Sequence, residues 1–89
     1  MIRMRFVFYG DVQGVGFRWV SVRHARELCL TGWVRNCYDG SVEMEVQGPH
    51  SKVYQLLAML RQDRFIHIER MQSTRLDLVE DETGFNARY

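Results

Sequence analysis

Two cysteines among 89 residues are too few for a disulfide scaffold or a four-cysteine zinc site. A single proline, with no serine- or glycine-rich tract, gives no sign of a linker or a disordered tail. Neither sign of charge is in excess: 12 Lys plus Arg stand against 11 Asp plus Glu, a net charge of +1. That argues against a polybasic coat for DNA or for an anionic membrane. No apolar run approaches the roughly 18 residues of a membrane span. The segment Met1–Phe6 has no long apolar stretch after its basic residues, so it does not read as a secretory signal, and a cytoplasmic location is the expectation. His24, His50 and His67 lack metal-ligand spacing, and a zinc site is not expected. With 46% apolar and 26% charged residues, the chain has the balance of one small globular domain over 1–89.

Strand and helix patterns alternate along it. Residues 2–9 open with apolar/basic alternation and close in a β-branched and aromatic run, a strand signal. A loop with three glycines follows over 10–16. Residues 17–30 predict a helix: Val22, Ala25 and Cys29 share a stripe with Arg18, flanked by Ser21 and Leu28. Strands are expected over 32–37 and 41–47, around Tyr38-Asp39-Gly40. Gly48-Pro49 opens a second helix, with Pro suited to its first turn and Val53, Leu56, Leu57 and Leu60 on one stripe. A fourth strand falls within 65–79, and Phe85, Ala87 and Tyr89 share a face at the end. The order βαββαβ, with room for one extra strand, predicts an α+β ferredoxin-like sandwich with two helices on one face of a mostly antiparallel sheet. Such a fold does not itself specify an activity.

Register in the central hairpin follows from polarity. A two-residue Asp39-Gly40 turn would place Arg35 among Val42, Met44 and Val46 on the inner face, at a high desolvation cost. A three-residue turn with Gly40 in the left-handed region pairs Val34 with Met44 and Arg35 with Glu43 instead. Asn36 is then the one polar side chain on an apolar face, at the strand's C-terminal end. A right-handed crossover makes the first two strands parallel, so the 10–16 loop, Arg18 and Asn36 converge at one end of the sheet. Gly14 and Gly16 permit the alternating backbone angles that turn successive N–H groups inward. The first helical amides lack partners and favour an anion, and Arg18 adds a planar fork matched to phosphate oxygens. Taken singly, each feature also has a plain structural reading: a tight βα connection, a solvated helix arginine, an amide capping a loop. Their convergence brings the functional reading level with the structural one.

Val12-Gln13-Gly14-Val15-Gly16-Phe17-Arg18, followed by Gly32-Trp33-Val34-Arg35-Asn36, Asp39-Gly40-Ser41-Val42-Glu43 and Gln47-Gly48, strongly resemble the two motifs of the acylphosphatase family. The likeness runs through essentially the whole chain. It implies a metal-free hydrolase that splits a small-molecule acyl phosphate into a carboxylate and phosphate. The family's phosphate-binding arginine falls on Arg18, its water-positioning asparagine on Asn36, and its phosphate cradle on the backbone of Val12, Gln13, Gly14, Val15, Gly16 and Phe17. Phosphate or sulfate would compete for that cradle. There are three departures from the family pattern: Asp11 stands where many members carry a basic residue, Cys29 replaces a glycine after the first helix, and Asp63-Arg64-Phe65-Ile66 lacks the usual Gly-Pro.

Three other settings compete with a hydrolase. A catalytically silent anion-binding or regulatory module would share the loop and lack turnover. A single-stranded RNA binder would need exposed aromatics on a basic face, whereas Trp33 has Glu43 and Glu45 as neighbours. A domain of a larger carbamoyl-transferring protein is disfavoured in a chain of this length. No nucleic-acid or membrane partner is expected, and the chain is expected to be a monomer. Cys29 and Cys37 fall at opposite ends of the domain, beyond the roughly 7 Å limit for bridging, and are expected as free thiols.

Overall fold

The computed structural model describes residues 1–89. Ile2–Asp11 form β1, in which Ile2, Met4, Phe6 and Phe8 alternate inward and are buried. After a loop, Phe17–Glu27 form α1. Thr31–Asn36 and Val42–Gly48 form β2 and β3, His50–Gln62 form α2, and His67–Leu76 and Phe85–Arg88 form β4 and β5. The sheet order is β4-β1-β3-β2-β5. The ferredoxin-like βαββαβ order is therefore present, with β5 as the extra strand, parallel to β2 at the sheet edge. Both β1 and β2 run antiparallel to β3. They run the same way, and their C-terminal ends lie at one end of the sheet. The inward residues of β1 and β3 join Val53, Leu56, Leu57 and Leu60 of α2 and Phe17 and Ala25 of α1 in one core.

The hairpin has the expected register. Val34 pairs with Met44, Arg35 with Glu43 and Asn36 with Val42. Cys37 and Ser41 flank the three-residue turn, Cys37 N–H donating to the Ser41 carbonyl at 2.9 Å, and Gly40 has φ of 90°. Asp39 braces the turn by accepting from both the amide and the hydroxyl of Ser41, which holds its carboxyl below the usual carboxylate range. On the outer face Glu43 accepts from Arg5 and Arg35, each at 2.6 Å.

The first helix is shorter than its periodicity predicts. It ends at Glu27, and Cys29 is exposed instead of lying on the inner stripe. The reason is a Schellman-type stop: Cys29 N–H donates to the Arg26 carbonyl at 3.1 Å and Leu30 N–H to the Ala25 carbonyl at 2.9 Å. Leu30 and Ala25 are both buried in the core, the apolar contact that accompanies this motif. Cys29 takes φ of 57°, so the left-handed residue expected of glycine here is a cysteine. Pro49 caps α2 from outside its first turn. After α2 the connection is made by a side chain: Asp63 accepts from the Phe65 amide at 2.9 Å where the family pattern has Gly-Pro.

Candidate active site

Where β1 leaves the sheet, the chain turns through Val12–Gly16 into α1. Val12 and Phe17 are buried and anchor the two ends of the loop in the core. Gly14 and Gly16 have φ of 73° and 81°, and Gly16 caps α1 from a left-handed conformation. Neither glycine has an atom within 4 Å of where a side chain would start, so the backbone angle is what demands glycine there. The amides from Gln13 to Trp19 donate to no backbone or side-chain acceptor; the first helical bond runs from Val20 N–H to the Gly16 carbonyl at 3.0 Å. These donors surround a helix N-terminus whose partial positive charge favours an anion.

Arg18 stands in the first turn of α1, half-buried. Its guanidinium stacks 4.4 Å from the centre of the Tyr89 ring, and Nη1 donates to the Arg88 carbonyl at 3.3 Å. No carboxylate pairs with it, so most of its donors stay available. Asn36, at the end of β2, is exposed, and its carboxamide makes no hydrogen bond within the chain. Val12, Gly14, Gly16, Phe17, Arg18 and Asn36 all line one cleft of about 460 Å³. No Asp or Glu side chain lines it, so its field is cationic.

Two of the expected cradle residues, Gln13 and Val15, do not face this cleft with their side chains. Val15 packs against the core. Gln13 reaches across to the hairpin, where Nε2 donates to the Cys37 carbonyl at 2.7 Å and to the Ser41 carbonyl at 2.8 Å. That clamp fixes the loop to the turn that follows Asn36, and sequence spacing gives no hint of it. The grip of Arg88 and Tyr89 on Arg18 is likewise invisible in the sequence until β5 is known to lie beside β2. Asp11 is exposed and lines a separate depression with Arg61 and His67. Trp33 on the outer sheet face lies under the Arg88 guanidinium, 4.3 Å from the ring centre.

Fold and site together define a ferredoxin-like α/β sandwich in which loop amides, an arginine and a carboxamide face one cationic cleft. The Acylphosphatase family model matches residues 4–87. An acylphosphatase of Caldivirga maquilingensis is 42% identical over 90 residues, spanning 99% of this chain and 95% of that protein. One from Bifidobacterium longum is 52% identical over 60 residues, spanning 67% of this chain and 62% of that protein. The crystal structure of acylphosphatase from Bacillus subtilis matches with a TM-score of 0.91 at 30% identity and covers 100% of both chains. The chain belongs to the acylphosphatase family.

Proposed function

We propose that the loop amides of residues 13–17 and the Arg18 guanidinium bind the phosphoryl group of an acyl phosphate, the expected Val12 amide being taken by the Gly10 carbonyl at 3.0 Å, while Asn36 aims a water at its phosphorus. Family membership makes the reaction the cleavage of an acyl phosphate to a carboxylate and inorganic phosphate. A carboxylate is a good leaving group and needs little protonation. Catalysis then rests on positioning and on stabilising charge at the phosphoryl oxygens. The amides and Arg18 supply that stabilisation and need no metal to assist them. The Asn36 carbonyl oxygen accepts from the attacking water and holds it in line with the leaving oxygen. The water's proton passes to a phosphoryl oxygen, because no carboxylate or imidazole side chain lines the cleft to take it. The observation that carries this reading is the presence of Arg18, the partnerless loop amides and Asn36 around one cleft.

Residues 1–89 are taken as one acylphosphatase-like domain acting as a monomer, with Arg18, Asn36 and the loop around one cleft. The same reading takes inorganic phosphate and sulfate as competing anions for the cradle. It also takes the protein as cytoplasmic, in keeping with two unbridged cysteines. Hydrolysis of benzoyl phosphate in the presence of a chelator, with inorganic phosphate as inhibitor, tests the chemistry. Turnover that survives the chelator and is competitively inhibited by phosphate is expected, with both turnover and phosphate binding lost in Arg18→Ala. Phosphate binding without turnover would instead favour the silent anion-binding module.

A further inference from the structure

The cleft extends well beyond the space a phosphoryl group needs. From the loop it runs as a groove between α1 and the edge strand β5, with Arg18, Val22 and Arg26 spaced four apart along the helix and Asn86 and Ala87 opposite. Val22 and Ala87 are half-buried and form an apolar floor, and Trp19, 65% exposed, stands as a wall. At the far end Arg26 is held flat against β5: Nε donates to the Phe85 carbonyl and Nη2 to Asn86 Oδ1, each at 3.1 Å. Those bonds fix the guanidinium plane and leave Nη1 and the second Nη2 proton without a partner. Arg26 has no ion pair, because the neighbouring Glu27 lies against Arg23 at 3.5 Å and His24 at 3.7 Å.

We propose that this groove is an acyl-group subsite that favours acyl phosphates carrying a carboxylate at the far end of the acyl part, with Arg26 as the residue that recognises it. The proposal rests on the reading of the cradle given above. Eight residues of helix separate the two arginines by about 12 Å along the axis. Helical side chains lean toward the N-terminus and so carry the Arg26 head back toward the cradle. A ring-sized acyl part resting on Val22 and Ala87 places a para substituent toward Arg26. A pre-oriented guanidinium fork with free donors matches a planar carboxylate; the one carboxylate nearby, Glu27 in the adjoining depression, is engaged by Arg23 and His24 and makes no ion pair with Arg26.

The test compares kcat/KM for 4-carboxybenzoyl phosphate and 4-methylbenzoyl phosphate, which have similar length and differ in terminal charge. At low ionic strength the full chain is expected to favour the carboxylate by roughly three- to fivefold, as befits an exposed pair. The preference should reside in KM and narrow as salt is added. In Arg26→Gln the ratio should fall to about one, taking the exposed-pair estimate as the whole effect. Equal wild-type rates for the two compounds, or a preference that Arg26→Gln leaves intact, would overturn the subsite while leaving the cradle reading untouched. Hydrolysis of neither compound would overturn the cradle reading and this proposal with it. The wild-type preference and its salt dependence stand as a test even if loss of the Arg26 clamp unfolds the variant.

Discussion

Arg18 works as a phosphate ligand because its neighbours hold it without neutralising it. The Tyr89 ring and the Arg88 carbonyl fix the direction of its guanidinium, and neither offers a negative charge that would compete with substrate. Tyr89→Ala is therefore expected to weaken phosphate inhibition several-fold, on the scale of a lost exposed cation–π contact of about 0.5–1 kcal/mol, read from the inhibition constant against benzoyl phosphate. Cys29 illustrates a different economy. It holds a left-handed backbone that costs a non-glycine residue about 1–2 kcal/mol, partly offset by the smaller entropy it loses on folding. Cys29→Gly should raise the free energy of unfolding by about 0.5–1 kcal/mol in urea titrations; an unchanged or lower midpoint would contradict that assignment. The thiol is exposed and does not line the cleft, so activity should be unaffected.

At the scale of elements, the site depends on a loop and a hairpin staying in register. Gln13 donates to two carbonyls of the turn and is the direct tie between the cradle and the segment that carries Asn36. Gln13→Ala should lower kcat about tenfold or more, since a misplacement of about 1 Å can cost a hundredfold. The phosphate inhibition constant should change little, because the cradle uses main-chain amides. Equal losses in kcat and phosphate affinity would show that the loop itself had collapsed. The hairpin's register was legible in the sequence because burying Arg35 is expensive, which left one pairing in which Asn36 points to the core side. The amphipathic stripe of α2 and the alternation of β1 were legible for the same reason: burial imprints a period on the chain. The end of α1 was not, because the apolar stripe continues through Leu28 and only the backbone angle at Cys29 stops it. The Gln13 clamp was hidden as well: a glutamine inside a glycine-rich loop reads the same whether its side chain meets solvent or a distant carbonyl.

For the molecule as a whole, charge is sorted by surface. The cleft keeps its arginines unpaired, whereas the outer sheet face pairs them: Arg3, itself buried, meets Glu45 at 2.9 Å and Glu82 at 2.8 Å, and Glu43 meets Arg5 and Arg35. Burial would raise the carboxyls of Glu43 and Glu82, but the arginine hydrogen bonds outweigh it and hold both below the usual range; the Ser41 hydroxyl does the same for Asp39. Carboxyls depressed in the folded state stabilise it above the unfolded carboxylate range. That contribution is lost as pH falls through their folded values, so stability should decline from about pH 4 downward. Urea midpoints measured between neutral pH and pH 3 check this, and Glu43→Gln should flatten the decline. The convergence of the ends of β1 and β2 was legible from topology, because a crossover fixes their common direction; the reach of β5 into the same cleft was not, because a four-residue edge strand leaves too short a pattern. The division of labour within that cleft is tested most directly by Asn36→Ala, assayed for benzoyl phosphate turnover and for phosphate inhibition on the same preparation. The expected result is a loss of kcat of about a hundredfold or more, on the scale of removing one positioned transition-state group, with the phosphate inhibition constant close to wild type. A variant that keeps most of the wild-type rate would contradict the water-positioning role.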